Sequence, residues 1–329
     1  MSARRVLVEI MDEYDIRGRV EFAEEMETRG FAGLTMAEVA GPDAFVVLAM
    51  AAAATKRVTL EPAVAQCGVR SAPALAVSAA TVQDVASGRF RLGLGISSKA
   101  IVEDWHGREW SPPMPHARET VELLRAVLSG EKVAYDGRVL RSSGFRLGGG
   151  AREVPLHLAA LNEGMVKLAG SIADGVWLNY LPRAAAAEVT ALIDGAAVAA
   201  GRDLPTKLLV CYVEVTDDPP AARAQLRDRL AFYVASPAYR RAFAWHGFES
   251  EMADAGTRFA CRDRAGVLAC ITDELIDSIV LVGSAGEVRD RMEEYFAAGV
   301  DEISVAPLTR ENADASLTAA LAAQGELRY

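Results

Sequence analysis

The residues best suited to chemistry lie in a polar segment that follows an apolar run. Gly93 and Gly95 interrupt the strand-like run Arg89–Leu94, and Ser97 and Ser98 come directly after it. Glycine lets main chain approach a ligand closely, while serine caps helices whose positive N-terminal end attracts anions. The pattern therefore predicts a ligand-binding loop that includes Gly95, Ser97 and Ser98. An ordinary structural turn is the alternative, because GLGISS is only part of a GxGxxG motif.

Three side chains are candidates for acid–base chemistry. His106 lies on the same loop, and a histidine changes charge near neutral pH. Glu103 precedes His106 by three residues, so that both share a face if the segment is helical. A histidine that only packs beside Trp105 is the alternative. Glu38 follows another apolar run and is the third candidate, either as a catalytic group or as the partner of a nearby arginine.

The bulk composition narrows the class of protein. Hydrophobic residues make up 51% and charged residues 24% of the 329-residue chain, which is typical of a folded soluble protein. The formal net charge is −10 and no basic run occurs, which argues against nucleic-acid or membrane partners. The four cysteines show no CxxC pair and no ligand-like spacing with the histidines. We therefore expect a reduced, metal-free cytoplasmic protein.

Strand-like and helix-like segments alternate along the chain. Eight strands are predicted, over residues 5–10, 31–36, 58–65, 89–94, 154–160, 175–181, 206–215 and 301–307. Strands separated by helices in this way predict an α/β fold, a (β/α)8 TIM barrel formed as one domain by residues 1–329. A hairpin insertion is expected at about 131–153 and a helical insertion at about 217–280. A doubly wound open sheet fits less well, because its dinucleotide loop usually follows the first strand rather than the fourth.

Several motifs follow one another in a characteristic order over nearly the whole chain. They are GFAGLTMAEVAGPDAFVVLA (30–49), SGRFRLGLGISS (87–98), IVEDWHG (101–107), PLHLAALNEGMVKLAGSIADGVWLN (155–179) and VGSAGEVRDRMEEYFAAGVDEISVAPL (282–308). This order resembles the luciferase-like monooxygenase superfamily, and within it the branch of oxidoreductases that use the deazaflavin coenzyme F420.

The resemblance implies a bacterial luciferase-like barrel with a deazaflavin at the C-terminal mouth, and a homodimer. It also implies a bulge with a non-prolyl cis peptide at the end of the third strand, where Val64, Ala65 and Gln66 would press against the ring. The phosphodiester and ribityl tail would be surrounded by Ile96, Ser97, Ser98, Ala160, Asn162, Gly164 and Met165. Asn179, which ends the sixth strand, would either bind the tail or cap a turn.

The function implied is hydride transfer between the deazaflavin C5 and a small organic substrate with an activated C=C, C=N or carbonyl group. Sugar-phosphate dehydrogenases of the superfamily carry a histidine after strand two and a glutamate after the glycines. Glu38–Ala40 and Ser98 stand there instead, which disfavours that substrate. Glu163 follows Asn162 where many relatives have Gly-Pro, and its charge opposes an anion. The alternatives are an FMN-dependent monooxygenase and a relative that has lost its cofactor and catalysis.

Overall fold

The computed structural model of the protein describes residues 4–11 and 14–325. Its strands are β1 (Arg5–Glu9), β2 (Gly33–Met36), β3 (Thr59–Pro62), β4 (Ala65–Gln66), β5 (Leu92–Gly95), β6 (Ala134–Asp136), β7 (Arg141–Ser143), β8 (Leu156–Ala159), β9 (Gly175–Asn179), β10 (Thr206–Val215), β11 (Leu281–Gly283) and β12 (Glu302–Pro307). Its α-helices are α1 (Ile16–Arg29), α2 (Ala44–Ala54), α3 (Ala72–Val85), α4 (Pro113–Leu128), α5 (Glu163–Ile172), α6 (Ala186–Ala199), α7 (Pro219–Val234), α8 (Pro237–Trp245), α9 (Glu249–Ala260), α10 (Arg264–Ala269), α11 (Asp273–Ile279), α12 (Ala285–Ala297) and α13 (Ala313–Leu321).

A parallel sheet forms the wall of the barrel. Its strand order is β3-β2-β1-β12-β10-β9-β8-β5-β4, and β3 and β4 are two parts of one wall strand. A parallel bridge between Leu60 and Phe90 brings the two ends of this sheet together. The wall strands are mostly buried, as expected when helices cover a parallel sheet. The predicted (β/α)8 barrel is therefore confirmed.

The fourth wall strand differs from its prediction. β5 runs to Gly95 and pairs with β4 and β8, so Gly93 does not interrupt it. A side chain at position 93 would overlap the carbonyl oxygen of Pro62. Glycine is needed here because the neighbouring strand passes too close for any side chain.

Two segments stand outside the alternating pattern. The antiparallel pair β6–β7 forms a hairpin after α4. Helices α7 to α11 pack into a second apolar core that is separate from the core around the barrel. β11 follows these helices and pairs with the end of β10. The sequence did not predict β11. Within the described ranges, we find no helix with both the length and the apolarity needed to cross a membrane.

Candidate active site

The predicted site residues lie around one end of the barrel. Because the wall strands are parallel, their C-terminal ends meet at a single mouth. The residues at or just beyond these ends are Glu38, Val64, Ala65, Gln66, Gly95, Ile96, Ser97, Ser98, Ala160, Asn162 and Asn179. Gly164 and Met165 lie in the first turn of α5, which starts from the same end.

The third wall strand breaks into a bulge at this mouth. The peptide bond between Ala63 and Val64 is cis, at the edge of the segment that the resemblance indicated. A Cβ on Gly95 would lie 2.5 Å from Cγ2 of Val64. We expected the glycine to leave room for a ligand, but the Val64 side chain takes up that room. Gly95 therefore shapes the mouth by letting the bulge pack against β5.

Gln66 ties three wall strands together at the bulge. Its Nε2 donates to the carbonyl oxygen of Glu38 at 2.8 Å. Its Oε1 accepts a bond from the hydroxyl of Ser97 at 3.4 Å. Because the side chain is buried, these bonds satisfy polar atoms that would otherwise be costly to bury. The ends of β2, β4 and β5 are thereby held in a fixed relation.

The loop after β5 contains one capping serine rather than two. The hydroxyl of Ser98 accepts a hydrogen bond from the amide of Ile101 at 3.3 Å, as a cap does. Ser97 instead adopts a left-handed conformation, with φ 68°, and its hydroxyl turns to Gln66. The segment that follows is a short π-helical turn, Ile101–Trp105, instead of a regular helix.

The two acid–base candidates on this loop have different surroundings. His106 is exposed at the end of the π-helical turn. The carboxylate of Glu103 forms an ion pair with Lys99 at 3.6 Å. Glu103 therefore has a partner other than His106, and the loop displays both groups near its outer surface.

Glu38 is a half-buried acid at the mouth whose pKa is shifted. One carboxylate oxygen, Oε1, pairs with Arg70, which also binds Asp43 at 2.8 Å and stacks on Phe45. The other, Oε2, is buried and has no hydrogen-bond partner among the described residues. Burial raises the pKa of Glu38, and Arg70 offsets this only in part. The structure thus confirms that Glu38 pairs with a nearby arginine, while its catalytic role stays a prediction.

Two asparagines lie on the opposite side of the mouth, Asn179 at the end of β9 and Asn162 directly before α5. Nδ2 of Asn162 donates to the carbonyl oxygen of Ala238 at 3.2 Å. Nδ2 of Asn179 donates to the hydroxyl of Tyr239 at 3.0 Å, while its Oδ1 is buried without a partner among the described residues. Both acceptors belong to α8. The amides that we expected to bind a cofactor tail are therefore engaged by the helical insertion.

Tyrosines surround this pair of asparagines. The ring of Tyr180 lies 4.8 Å from that of Tyr233 and 6.1 Å from that of Tyr239. Burial raises the pKa of Tyr239 to about 12, so it is an uncharged phenol at neutral pH. The sequence did not indicate Tyr233 and Tyr239, because nothing in the local pattern of α7 and α8 connects them to β9.

A charged network fills the barrel beneath the mouth. Arg91 pairs with Glu61 at 2.9 Å and with Glu302 at 2.8 Å. Glu61 also accepts bonds from Nδ1 of His157, at 2.8 Å, and from Nε1 of Trp177. All five side chains are buried. The sequence feature that could have indicated this network is a charged or polar residue within each of several strands that are otherwise rich in apolar residues.

The first turn of α5 could admit part of an organic ligand. It has no side-chain cap and is open around Gly164, where a Cβ would contact only Met114. Residues 4–11 and 14–325 contain no group of three or more His, Cys, Asp or Glu side chains suited to holding a metal ion.

Comparison with known families identifies this barrel. The profile of the luciferase-like monooxygenase family matches residues 4–302, which is most of the chain. The chain belongs to that family. Its members are enzymes, so the prediction of an enzyme on a luciferase-like barrel is confirmed.

Individual luciferase-like proteins resemble the chain over most of their length. A Mycobacterium tuberculosis protein named as a coenzyme F420-dependent oxidoreductase is 30% identical over 316 residues, covering 86% of this chain and 89% of the relative. The 5,10-methylenetetrahydromethanopterin reductase of Archaeoglobus fulgidus is 30% identical over 268 residues, covering 79% and 80%. The solved coenzyme F420-dependent tetrahydromethanopterin reductase of Methanopyrus kandleri shares the fold, with a TM-score of 0.79 and 21% identity over 97% and 98% of the two chains.

Proposed function

We propose that this luciferase-like enzyme uses coenzyme F420 to transfer a hydride to or from a small organic substrate with an activated C=C, C=N or carbonyl group. The observation that carries the proposal is the packing of Val64, Gln66 and Gly95, which forms a rigid floor at the mouth. The names of the relatives that are 30% identical support the choice of an oxidoreductase of this class.

The residues around the mouth have complementary parts in this proposal. The bulge formed by Val64, Ala65 and Gln66 would support the flat ring. The tail would pass over Ile96, Ser97 and Ser98 toward the first turn of α5, with contacts from Ala160, Asn162, Gly164, Met165 and Asn179. The bound deazaflavin would supply a hydride at C5 and little reactivity toward oxygen.

The chain itself would supply orientation, exclusion of water and a proton. Glu38 is the proposed proton donor or acceptor, because it lies just beyond the end of β2 at the mouth and its pKa is raised. Tyr180, Tyr233 and Tyr239 would exclude water from the far side of the mouth. His106 and Glu103 remain proposed secondary acid–base groups on the outer loop.

Glu163 occupies the first turn of α5, where its charge opposes a bound anion, and Lys167 forms an ion pair with it. This opposition applies to the phosphate of either flavin, so the choice of the deazaflavin rests on the relatives.

Ligand titration tests the choice of cofactor. Purified protein is titrated separately with coenzyme F420 and with FMN, and binding is followed by ligand fluorescence. We expect saturable micromolar binding of the deazaflavin. Micromolar FMN binding without deazaflavin binding would contradict the proposal and favour a monooxygenase, while binding of neither would favour a barrel without catalysis. A screen of enones, imines and ketones with reduced cofactor then defines the substrate.

A homodimer is also proposed, and the outer faces of α2 and α3 support it. Helix α2 contains no charged residue, yet Val46 is 57% exposed. On the adjacent α3, Val77 is 46% exposed and Asp84 is the only charged residue. Two neighbouring helices with apolar outer faces suit a two-fold interface with a second copy of the chain, in which each face covers its equivalent.

Replacing both valines by glutamate is expected to convert the dimer to a monomer. The Val46→Glu/Val77→Glu variant would bury four carboxylates in the two-fold contact, which is unfavourable without partners. Sedimentation velocity measures the mass of the particle. Val198→Glu is the matched control, because Val198 is 69% exposed on α6, on the other side of the barrel. A monomeric wild-type protein, or a double variant that stays dimeric, would disprove the interface.

A cytoplasmic location is proposed as well. The four cysteines are all free, and three of them are buried. Unpaired cysteines are typical of proteins that stay in a reducing compartment. We propose a small molecule as the binding partner, and neither nucleic acid nor a membrane.

A further inference from the structure

One guanidinium nitrogen at the mouth serves two carboxylates. Nη2 of Arg70 donates to Oε1 of Glu38 and to Oδ2 of Asp43, the latter at 2.8 Å. Both acids lie in the loop between β2 and α2, whereas Arg70 comes from the loop between β4 and α3. The N–H groups of a guanidinium point in fixed, separate directions, so one nitrogen can bind both oxygens at once. The charge of Arg70 is therefore shared between the two acids.

These three side chains are also held by contacts outside the trio. Oδ1 of Asp43 caps α2 by accepting a backbone amide hydrogen bond at 3.1 Å. The guanidinium of Arg70 lies over the ring of Phe45, 4.8 Å from its centroid. Gln66 donates to the carbonyl oxygen of Glu38 at 2.8 Å. The arrangement therefore does not depend on the two ion pairs alone.

Arg70 and Asp43 act on Glu38 in opposite directions. Burial is the largest effect and raises the pKa of Glu38, the charge of Arg70 lowers this pKa, and the charge of Asp43 raises it again. The backbone amide of Ala44, at the start of α2, also favours the carboxylate. The aspartate therefore works against the arginine that it binds.

The other elements around the Glu38 carboxyl contribute neutral groups or charges with partners of their own. Gln66, on β4, offers an uncharged amide. On the loop after β5, Lys99 and Glu103 pair with each other. Glu9, at the end of β1, adds to the effect of burial in raising the pKa of Tyr233 on α7. The arginine and the aspartate of the trio are thus the charged side chains that act most strongly on this carboxyl.

We propose that Asp43 and Arg70 are positioning residues for Glu38. By taking one of the two hydrogen bonds of Nη2, Asp43 keeps Arg70 from neutralising Glu38 fully, so that the Glu38 carboxyl can both bind and release a proton. The use of that proton in hydride transfer rests on the proposed function. The arrangement of the three side chains does not.

Asp43→Asn is expected to move the titration of Glu38 to lower pH by about one unit, a usual effect of a nearby charge. An asparagine still caps α2 through its side-chain oxygen, but its NH2 group then faces Arg70 and cannot accept a bond from it. The guanidinium is left to Glu38 alone. Arg70→Gln should move the titration to higher pH, because it removes the cation. A general loosening of the mouth would not produce shifts of opposite sign.

Urea unfolding at a series of pH values measures this titration without a substrate. Each protein is compared with its own Glu38→Gln counterpart, and the difference in unfolding free energy isolates the contribution of Glu38. This contribution is lost as pH rises through the folded pKa of Glu38, which lies above its ordinary value because of burial. Unchanged titrations in Asp43→Asn and Arg70→Gln, or shifts in the same direction, would overturn the proposal. If one variant does not fold, the sign of the shift in the other decides.

An arginine–aspartate pair in the helical insertion provides the matched control. Arg223 pairs with Asp277 at 2.8 Å and is 25% exposed, as Arg70 is. Asp277→Asn makes the same chemical change as Asp43→Asn, and it should leave the titration of Glu38 where it is in the wild-type protein. An equal shift in this control would show a general effect of charge and overturn the specific role of Asp43.

The pH profile of kcat/KM separates this proposal from the proposed function. With a substrate found in the screen, the limb assigned to Glu38 should move in the same direction and by the same amount as the titration in each variant. Titrations that move while the kinetic limb stays in place would uphold the effect of Asp43 and Arg70 on Glu38. That result would refute Glu38 as the group that exchanges a proton with the substrate.

Discussion

Replacing Arg91 by leucine is expected to lower the free energy of unfolding by about 3–5 kcal/mol, the usual cost of leaving buried charges without their partner. Arg91 is the cation that Glu61 and Glu302 share inside the barrel. Without it, Glu61 would keep only the bonds from His157 and Trp177. Urea unfolding followed by far-UV circular dichroism measures the change.

The pH dependence of this loss has a definite sign. Burial raises the pKa of both carboxyls, but the surrounding cations outweigh it and hold both pKa values below their usual range. These groups therefore stabilise the wild-type protein above the carboxyl pKa of the unfolded chain, and this contribution falls as pH drops through the folded values. In the Arg91→Leu variant, Arg91 no longer offsets the effect of burial on the pKa of Glu61 and Glu302. These carboxyls therefore take up protons more readily than in the wild-type protein. The difference between the two proteins should narrow on acidification.

An exposed ion pair provides the control for Arg91. Arg141 pairs with Asp136 at 2.8 Å on the hairpin, where both side chains are largely exposed. Surface pairs contribute only about 0–1 kcal/mol, so Arg141→Leu should have little effect. If Arg91→Leu fails to fold, Arg91→Lys retains the charge and should show an intermediate loss. Equal stabilities for the Arg91→Leu and Arg141→Leu proteins would show that the buried network is unimportant.

Replacing Glu38 by glutamine is expected to reduce turnover by about 100-fold or more, the usual contribution of a positioned general acid or base. The amide keeps the shape of the side chain but cannot transfer the proton, so the dissociation constant of the cofactor should change little. In the direction of substrate reduction, wild-type kcat/KM should fall as pH rises through the raised pKa of Glu38. Steady-state kinetics on a substrate found in the screen should show that this limb is absent from Glu38→Gln.

A stability measurement tests the same carboxyl without a substrate. A folded pKa above the unfolded value means that stability is present at low pH and is lost as pH rises through the folded pKa. That loss should disappear in Glu38→Gln. Asp104→Asn, which changes an exposed carboxylate in the π-helical turn after β5, should keep both wild-type profiles. Full turnover of the Glu38→Gln variant would show that Glu38 does not transfer the proton, and that His106 or another group does.

Some features of the site were predictable from local sequence. The alternation of apolar strands and helices gave the barrel, and a barrel places the ends of its parallel strands together. Glu38, Gln66 and Ser98 were therefore expected at the mouth, where the structure has them. The capping role of Ser98 was also predictable, because a cap is a contact between residues only three positions apart.

Gly93 shows where local reasoning reached the wrong conclusion. A glycine in a strand indicates a close approach, but the sequence does not say by what. The structure shows that Pro62 makes the approach, so that Gly93 serves the fit between neighbouring strands rather than access for a ligand.

Long-range contacts decided the remaining properties of the site. Arg91 and Glu302 lie 211 residues apart, yet they form a bidentate pair inside the barrel. The contacts of α8 with Asn162 and Asn179 likewise depend on how an insertion folds back over the mouth. The sequence by itself determined the periodicity, the caps and the strand ends, because these arise between near neighbours. Only the tertiary structure decided which charges meet in the core and which helix holds the asparagines, because the path of the whole chain sets those distances.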